Sequence, residues 1–126
     1  MAYLAEVRPL IPVAERAWIL VAEQEFNALL RAGDLESATR QIHAIHDQVQ
    51  ARAEADPANT GWQRDLSVSN ERLGDVAVAA GDLATARGHY QAALDIPQWL
   101  AAADPANAQC QRDLEGIQLK ISSLDS

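Results

Sequence analysis

Cysteine is nearly absent from the 126 residues: Cys110 stands alone, which excludes an internal disulfide framework and fits a reducing compartment. Long apolar runs are missing too. The longest, Ala17-Trp18-Ile19-Leu20-Val21-Ala22, falls far short of the roughly 20 residues that span a bilayer. The first residues carry Glu6 and Arg8 and are interrupted by Pro9 and Pro12, so they lack the basic start and unbroken apolar core of a secretory signal. Basic residues are scarce, 10 Lys and Arg against 18 Asp and Glu, and the net charge of −8 disfavours nucleic acid or an anionic membrane as the main partner. A basic or neutral partner suits that charge better. No stretch alternates apolar and polar residues with period two, so no strand is expected. There is no glycine-rich phosphate loop and no Gly-x-Ser-x-Gly, and the six glycines fall at turn and packing positions. These absences predict a soluble, cytoplasmic, non-catalytic chain with no cofactor.

What the sequence does contain is a repeat. Asp56-Pro57-Ala58-Asn59, followed by Gln63-Arg64-Asp65-Leu66, returns 48 residues later as Asp104-Pro105-Ala106-Asn107 and Gln111-Arg112-Asp113-Leu114. Ala32-Gly33-Asp34-Leu35 recurs at the same interval as Ala80-Gly81-Asp82-Leu83, and Pro9 precedes Pro57 by 48. Three markers on one period define an array in which each unit packs on its neighbours. The units read as residues 12–56, residues 57–104 and a closing half unit at 105–126. Residues 1–11 read either as a cap on the first helix or as the remnant of an earlier repeat, since Ala5 and Glu6 fall in register with Ala53 and Glu54.

Within each unit the apolar spacing is helical. The first helix, from Pro12 to Arg31, carries Trp18, Val21, Ala22, Phe26, Leu29 and Leu30; the second carries Leu35, Ala38, Ile42, Ile45 and Val49. Gly33 and Gly81 suit the left-handed residue that closes a helix, and Asp34 and Asp82 suit the cap of the next. Asp56-Pro57 reads as a further start signal, with Asp at the cap and Pro in the first turn. The third helix is expected to bury Trp62, Leu66, Leu73, Val76 and Ala77. The fourth carries Leu83, Ala86, Tyr90, Ala93, Leu94 and Leu100, with Pro97 inside it, where a bend or break is expected at a cost of about 3 kcal/mol. Leu114, Ile117, Ile121 and Leu124 mark a fifth helix. The short loops make sequential helices antiparallel, and the chain reads as an all-α, five-helix domain.

Leu73-Gly74, Ala80-Gly81-Asp82, Ala86, Tyr90, Ala93 and Asp104-Pro105 together resemble the tetratricopeptide repeat, a helix-turn-helix unit of about 34 residues. Here each helix looks lengthened by about seven residues, close to two turns, while the turns and close-packing positions keep their places. In the first unit Phe26 takes the place of Gly74, which departs from the pattern. Long-helix units of this kind resemble those of large bacterial multidomain proteins that sense or scaffold.

The resemblance implies a short solenoid whose first helices line an inner groove that binds a protein segment or peptide. The groove positions are then Arg16, Leu20, Glu23, Asn27 and Leu30 in unit one and Arg64, Val68, Glu71, Asp75 and Val78 in unit two. Arg112, Gly116, Leu119 and Ser123 follow in the half unit. A basic rim, an apolar middle and an acidic end would grip a segment by its charge pattern. Equally, the arginines pair with Asp65 or Asp113 of the next unit and serve only to knit the array. The Lys and Asn set of the family's carboxylate-binding members is lacking, only Asn27 having a suitable type.

His43, His46 and Asp47 cluster on the second helix, but no Glu-x-x-His or His-Glu-x-x-His spacing supports a metal site, and a solvated face is expected. Cys110 stands where the previous unit has Trp62, at a helix start that favours a thiolate; the plain expectation is a small buried residue. The run around Trp18 is apolar over more than one face. Either residues 1–11 or another chain covers it, so a homodimer joined by apolar helix faces, with no peptide groove in use, is the alternative to an adaptor.

Overall fold

A computed structural model describes the backbone of residues 11–125 and the side chains from residue 17 to 125. The described residues form five helices and no strand: α1 (Ile11–Arg31), α2 (Leu35–Ala55), α3 (Thr60–Ala79), α4 (Leu83–Ala103) and α5 (Ala108–Ser123). The suggested cap or remnant at residues 1–11 lies almost wholly outside the described residues. Each helix packs chiefly on its neighbours in the chain, α1 on α2, α2 on α3, α3 on α4 and α4 on α5.

The turns follow the repeated chemistry. Gly33 and Gly81 adopt φ of 79° and 81°, a region costly for any residue with a Cβ, and let the chain reverse between helices. Asp34 and Asp82 then cap α2 and α4, accepting from the backbone N–H of Ser37 at 3.2 Å and of Thr85 at 3.1 Å. These bonds, Ser37 and Thr85 each contributing through side chain and backbone, hold both carboxyls below their ordinary pKa.

Asp56-Pro57 does not start α3. Asp56 ends α2, its N–H bonded to the Arg52 carbonyl, and one further turn intervenes before Asn59 caps α3 by accepting from the Trp62 N–H at 3.2 Å. Asn107 repeats this for α5 with the Cys110 N–H at 3.1 Å. The Asp-Pro-Ala-Asn motif is therefore stop, turn and start in four residues.

The core forms two linked clusters. The first joins Ile19, Ala22 and Phe26 of α1 to Ala38, Ile42, Ile45, Val49 and Ala53 of α2 and to Trp62, Leu73 and Val76 of α3. The second joins Ala77 to Ala86, Tyr90, Ala93 and Leu94 of α4 and Ile117 of α5. The α1 face centres on Ile19 rather than on Trp18 and Val21, which stand 44% and 55% exposed. Those two point to where α3, one unit later, receives the preceding helix.

Gly74 and Tyr90 explain how the units differ. A Cβ on Gly74 would stand 3.0 Å from Tyr90 Cζ and nearer still to Cδ1 and Cε1, so the ring lies directly on the α3 backbone. One period earlier Phe26 stands at the position of Gly74 and Ile42 at that of Tyr90, and both are fully buried. The first unit therefore fills this contact with two large side chains, where the second has a ring laid on bare backbone.

Pro97 does not break α4, which runs unbroken from Leu83 to Ala103 with the proline ring buried inside it. The Ala93 carbonyl, whose usual donor would be the N–H that proline lacks, instead accepts from the buried Ser67 hydroxyl at 2.7 Å. Ser67 and Pro97 both occur one period after residues of the α1–α2 core, Ile19 and Val49. An apolar pair in one unit is thus a polar device in the next.

Candidate functional site

The first helices of the units, α1, α3 and α5, carry the proposed groove residues, and most of their charges are engaged with one another. Arg64 reaches from α3 to Asp113 on α5, Nε to Oδ2 at 3.1 Å and Nη2 to Oδ1 at 3.5 Å. Glu71 and Asp75 accept from Lys120 of α5 at 2.9 and 3.0 Å, and also from Arg72 at 3.2 and 3.4 Å. The Tyr90 hydroxyl donates to Asp75 at 2.6 Å, while the Lys120 ammonium lies 5.9 Å from the Tyr90 ring centre. Burial, and then the Asp75 carboxylate, push the Tyr90 phenol far above its ordinary pKa. Arg64 thus pairs with Asp113 as the knitting alternative has it, and Glu71 and Asp75 are tied to α5 as well.

Lys120 was not singled out in the sequence, yet a signal for it exists. Arg64 meets Asp113 and Glu71 meets Lys120 at the same separation of 49, one period plus one residue. Between units one and two that offset places Glu23 opposite Arg72. Arg72 is indeed the leading charge that lowers the Glu23 pKa, but its guanidinium is already bonded to Glu71 and Asp75. Glu23 is left half-buried, with no hydrogen bond or ion pair among the described residues. Its pKa is raised, first by burial and then by Asp65 and Glu71 against the pull of Arg72 and Arg64.

Glu23 lines a cleft of about 130 Å³ between α1 and α3, walled by Ile19, Leu20, Arg64, Asp65 and Val68. Four of the proposed groove residues, Leu20, Glu23, Arg64 and Val68, thus share one depression. Leu20 is 62% exposed and Val68 half-buried, giving an apolar lip beside the Glu23 carboxylate. Asn27 is half-buried farther along α1, and Val78 lies 39% exposed near the end of α3; neither lines this cleft. Arg16 belongs to α1, but its side chain lies outside the described residues.

The remaining chemical candidates divide simply. His46 Nδ1 lies 2.9 Å from the Ser69 hydroxyl, which itself donates to the Leu66 carbonyl, so the imidazole is the donor. Burial chiefly, and then His89 and His43, lower the His46 pKa despite Asp47. Among the described residues no group of three or more His, Cys, Asp or Glu is arranged to hold a metal ion. Cys110 is buried, and burial, Asp113 and Asp104 raise its thiol pKa, which outweighs any helix-start effect and disfavours a nucleophile. No helix among the described residues is long and apolar enough to cross a membrane. No protein-family model, curated protein or solved structure matches the chain.

Proposed function

We propose that the chain is a non-catalytic protein-binding module whose contact site is the cleft between α1 and α3. The observation that carries this reading is Glu23, a half-buried carboxylate with no ion-pair partner among the described residues, beside the exposed Leu20. A carboxylate held that way gains most from an incoming cation, because contact with a partner excludes water and strengthens the attraction. The segment recognised would carry a Lys or Arg next to an apolar side chain, the cation for Glu23 and the apolar group for Leu20 and Val68. The chain's net charge of −8 favours approach of such a segment. The tetratricopeptide-like spacing supports the same reading, since units of that kind present their first helices to bound segments.

Panning a random peptide library against the folded protein tests this. Enriched sequences should pair a basic residue with an apolar one, and Leu20→Asp should abolish their binding. Enrichment of acidic sequences, or binding indifferent to Leu20, would overturn the assignment of the cleft.

A further inference from the structure

The cation that stands opposite Glu23 is held by other carboxylates. At the α3–α5 contact Lys120 binds both Glu71 and Asp75, at 2.9 and 3.0 Å. Arg72 is the corresponding cation between α1 and α3, with Glu23 and Asn27 standing one period before Glu71 and Asp75. It is also the charge that acts most strongly on Glu23. Yet its guanidinium turns back to Glu71 and Asp75 of its own helix. Glu23, Glu71 and Asp75 thus share two cations, and Glu23 is the one left over among the described residues.

The hold on Arg72 is loose. Only Nη1 donates, at 3.2 and 3.4 Å, where a charge-assisted bond is about 2.7–2.9 Å. The Arg72 Nε–H lies buried with no hydrogen-bond partner among the described residues, a cost the present position does not relieve. Release of Arg72 would strand neither carboxylate, since Glu71 keeps Lys120, and Asp75 keeps Lys120 and the Tyr90 hydroxyl. Crossing to Glu23 exchanges one set of ion pairs for another and leaves the total charge of the group unchanged.

We propose that Arg72 is an internal competitor for the cleft: Glu71 and Asp75 hold it clear of Glu23 in the open form described here, and in a closed form it crosses to Glu23 and takes the place of an incoming cation. Glu71 and Asp75 are then positioning residues for a contact they do not make. The effect on binding rests on the reading of the cleft as a contact site, whereas the exchange of Arg72 between carboxylates needs no partner. Two arrangements of the same charges differ little in energy, so loss of one anchor is enough to change which of them dominates.

Titration of the Glu23 carboxyl by NMR in wild type, Asp75→Asn, Arg72→Met and the double variant is the test. Asp75→Asn removes an anchor of Arg72 without removing any of the charges that act most on Glu23, which are Arg72, Asp65, Arg64 and Glu71. The Glu23 pKa, raised in wild type, should fall in Asp75→Asn as Arg72 crosses to it. With Met at 72 the same substitution should leave it unmoved. Glu71→Gln is the second variant, and it decides if Asp75→Asn loses helical content: its lowering of the Glu23 pKa should be larger with Arg at 72 than with Met. A pKa unmoved by the loss of an anchor in a folded variant, or one that falls equally with Met at 72, would overturn the proposal. A peptide pairing a basic with an apolar residue should bind Asp75→Asn about five- to tenfold more weakly than wild type, the loss given by a closed fraction of about 80–90%. Arg72→Met should bind it at least as tightly as wild type. Titrations that follow expectation while no such peptide binds any of the proteins would support the exchange of Arg72 and overturn the cleft as a contact site.

Discussion

Removing the Ser67 hydroxyl should destabilise the protein only because Pro97 is present. The Ala93 carbonyl is buried between α3 and α4, Pro97 has no N–H to offer it, and Ser67 Oγ at 2.7 Å supplies the missing donor. Ser67→Ala deletes little volume but leaves a buried acceptor unpaired, at a cost of about 1–3 kcal/mol. Pro97→Ala returns the backbone donor, which offsets the loss of a buried ring worth about 1.6 kcal/mol for two methylenes, so its net effect should be small. In that background Ser67→Ala should cost under about 0.5 kcal/mol, the range of a neutral substitution. The coupling energy from the four proteins should therefore be about 0.5–3 kcal/mol. Urea denaturation of wild type, the two single variants and the double variant measures it, with a common slope checking that the unfolded state is unchanged. Equal costs of Ser67→Ala with Pro97 and with Ala at 97 would refute the reasoning.

Three further outcomes follow from the same contacts. Gly74→Ala should destabilise by about 1–3 kcal/mol, because the Tyr90 ring is buried and tethered to Asp75 and has no room to yield. Gly88→Ala and Gly116→Ala, where a Cβ meets nothing within 4 Å, should instead stabilise by up to about 1 kcal/mol; thermal unfolding of the three variants compares them directly. Lys120→Met should cost about 1–2 kcal/mol, since Glu71 and Asp75 then share only Arg72, and added salt should narrow the gap to wild type in denaturant titrations. The folded-state pKa of His46 lies below its unfolded value of about 6.5, so the unfolded chain takes up the proton first and stability falls as pH drops below that value. His46→Gln should flatten this decline in unfolding free energy between pH 7 and pH 5, and an unchanged pH profile would sink that assignment.

The all-α fold was legible because three independent signals repeat together: apolar spacing, Gly-Asp turns and Asp-Pro-Ala-Asn junctions. Two local features differ from expectation for specific causes. α4 is unbroken at Pro97, and the hydroxyl that serves the freed Ala93 carbonyl comes from Ser67, 26 residues earlier, which no local pattern reveals. Asp56 looked like a cap because Asp-Pro is a common start, but Asn59, three residues on, supplies the bond to α3. Trp18 and Val21 stand exposed, in keeping with an apolar run on α1 too broad for one seam. For the candidate site, the period picks out a column of residues but does not separate the charges tied to α5 from Glu23, which has no ion pair among the described residues. The 49-residue offset names the partners of Arg64 and Glu71, but it also places Glu23 opposite Arg72, and only the structure shows Arg72 taken up by Glu71 and Asp75.

The proposed contact cleft and the charges that hold the helices together are separable by one capture experiment. Protein partners retained from cell extract by wild type, Leu20→Asp, Val68→Asp and Arg64→Ala should be compared by quantitative mass identification. The account predicts that the Leu20 and Val68 variants lose partners that wild type retains, while Arg64→Ala keeps them and loses at most about 1 kcal/mol of stability from its half-exposed pair with Asp113. Partners retained by both apolar variants but lost with Arg64→Ala would contradict it.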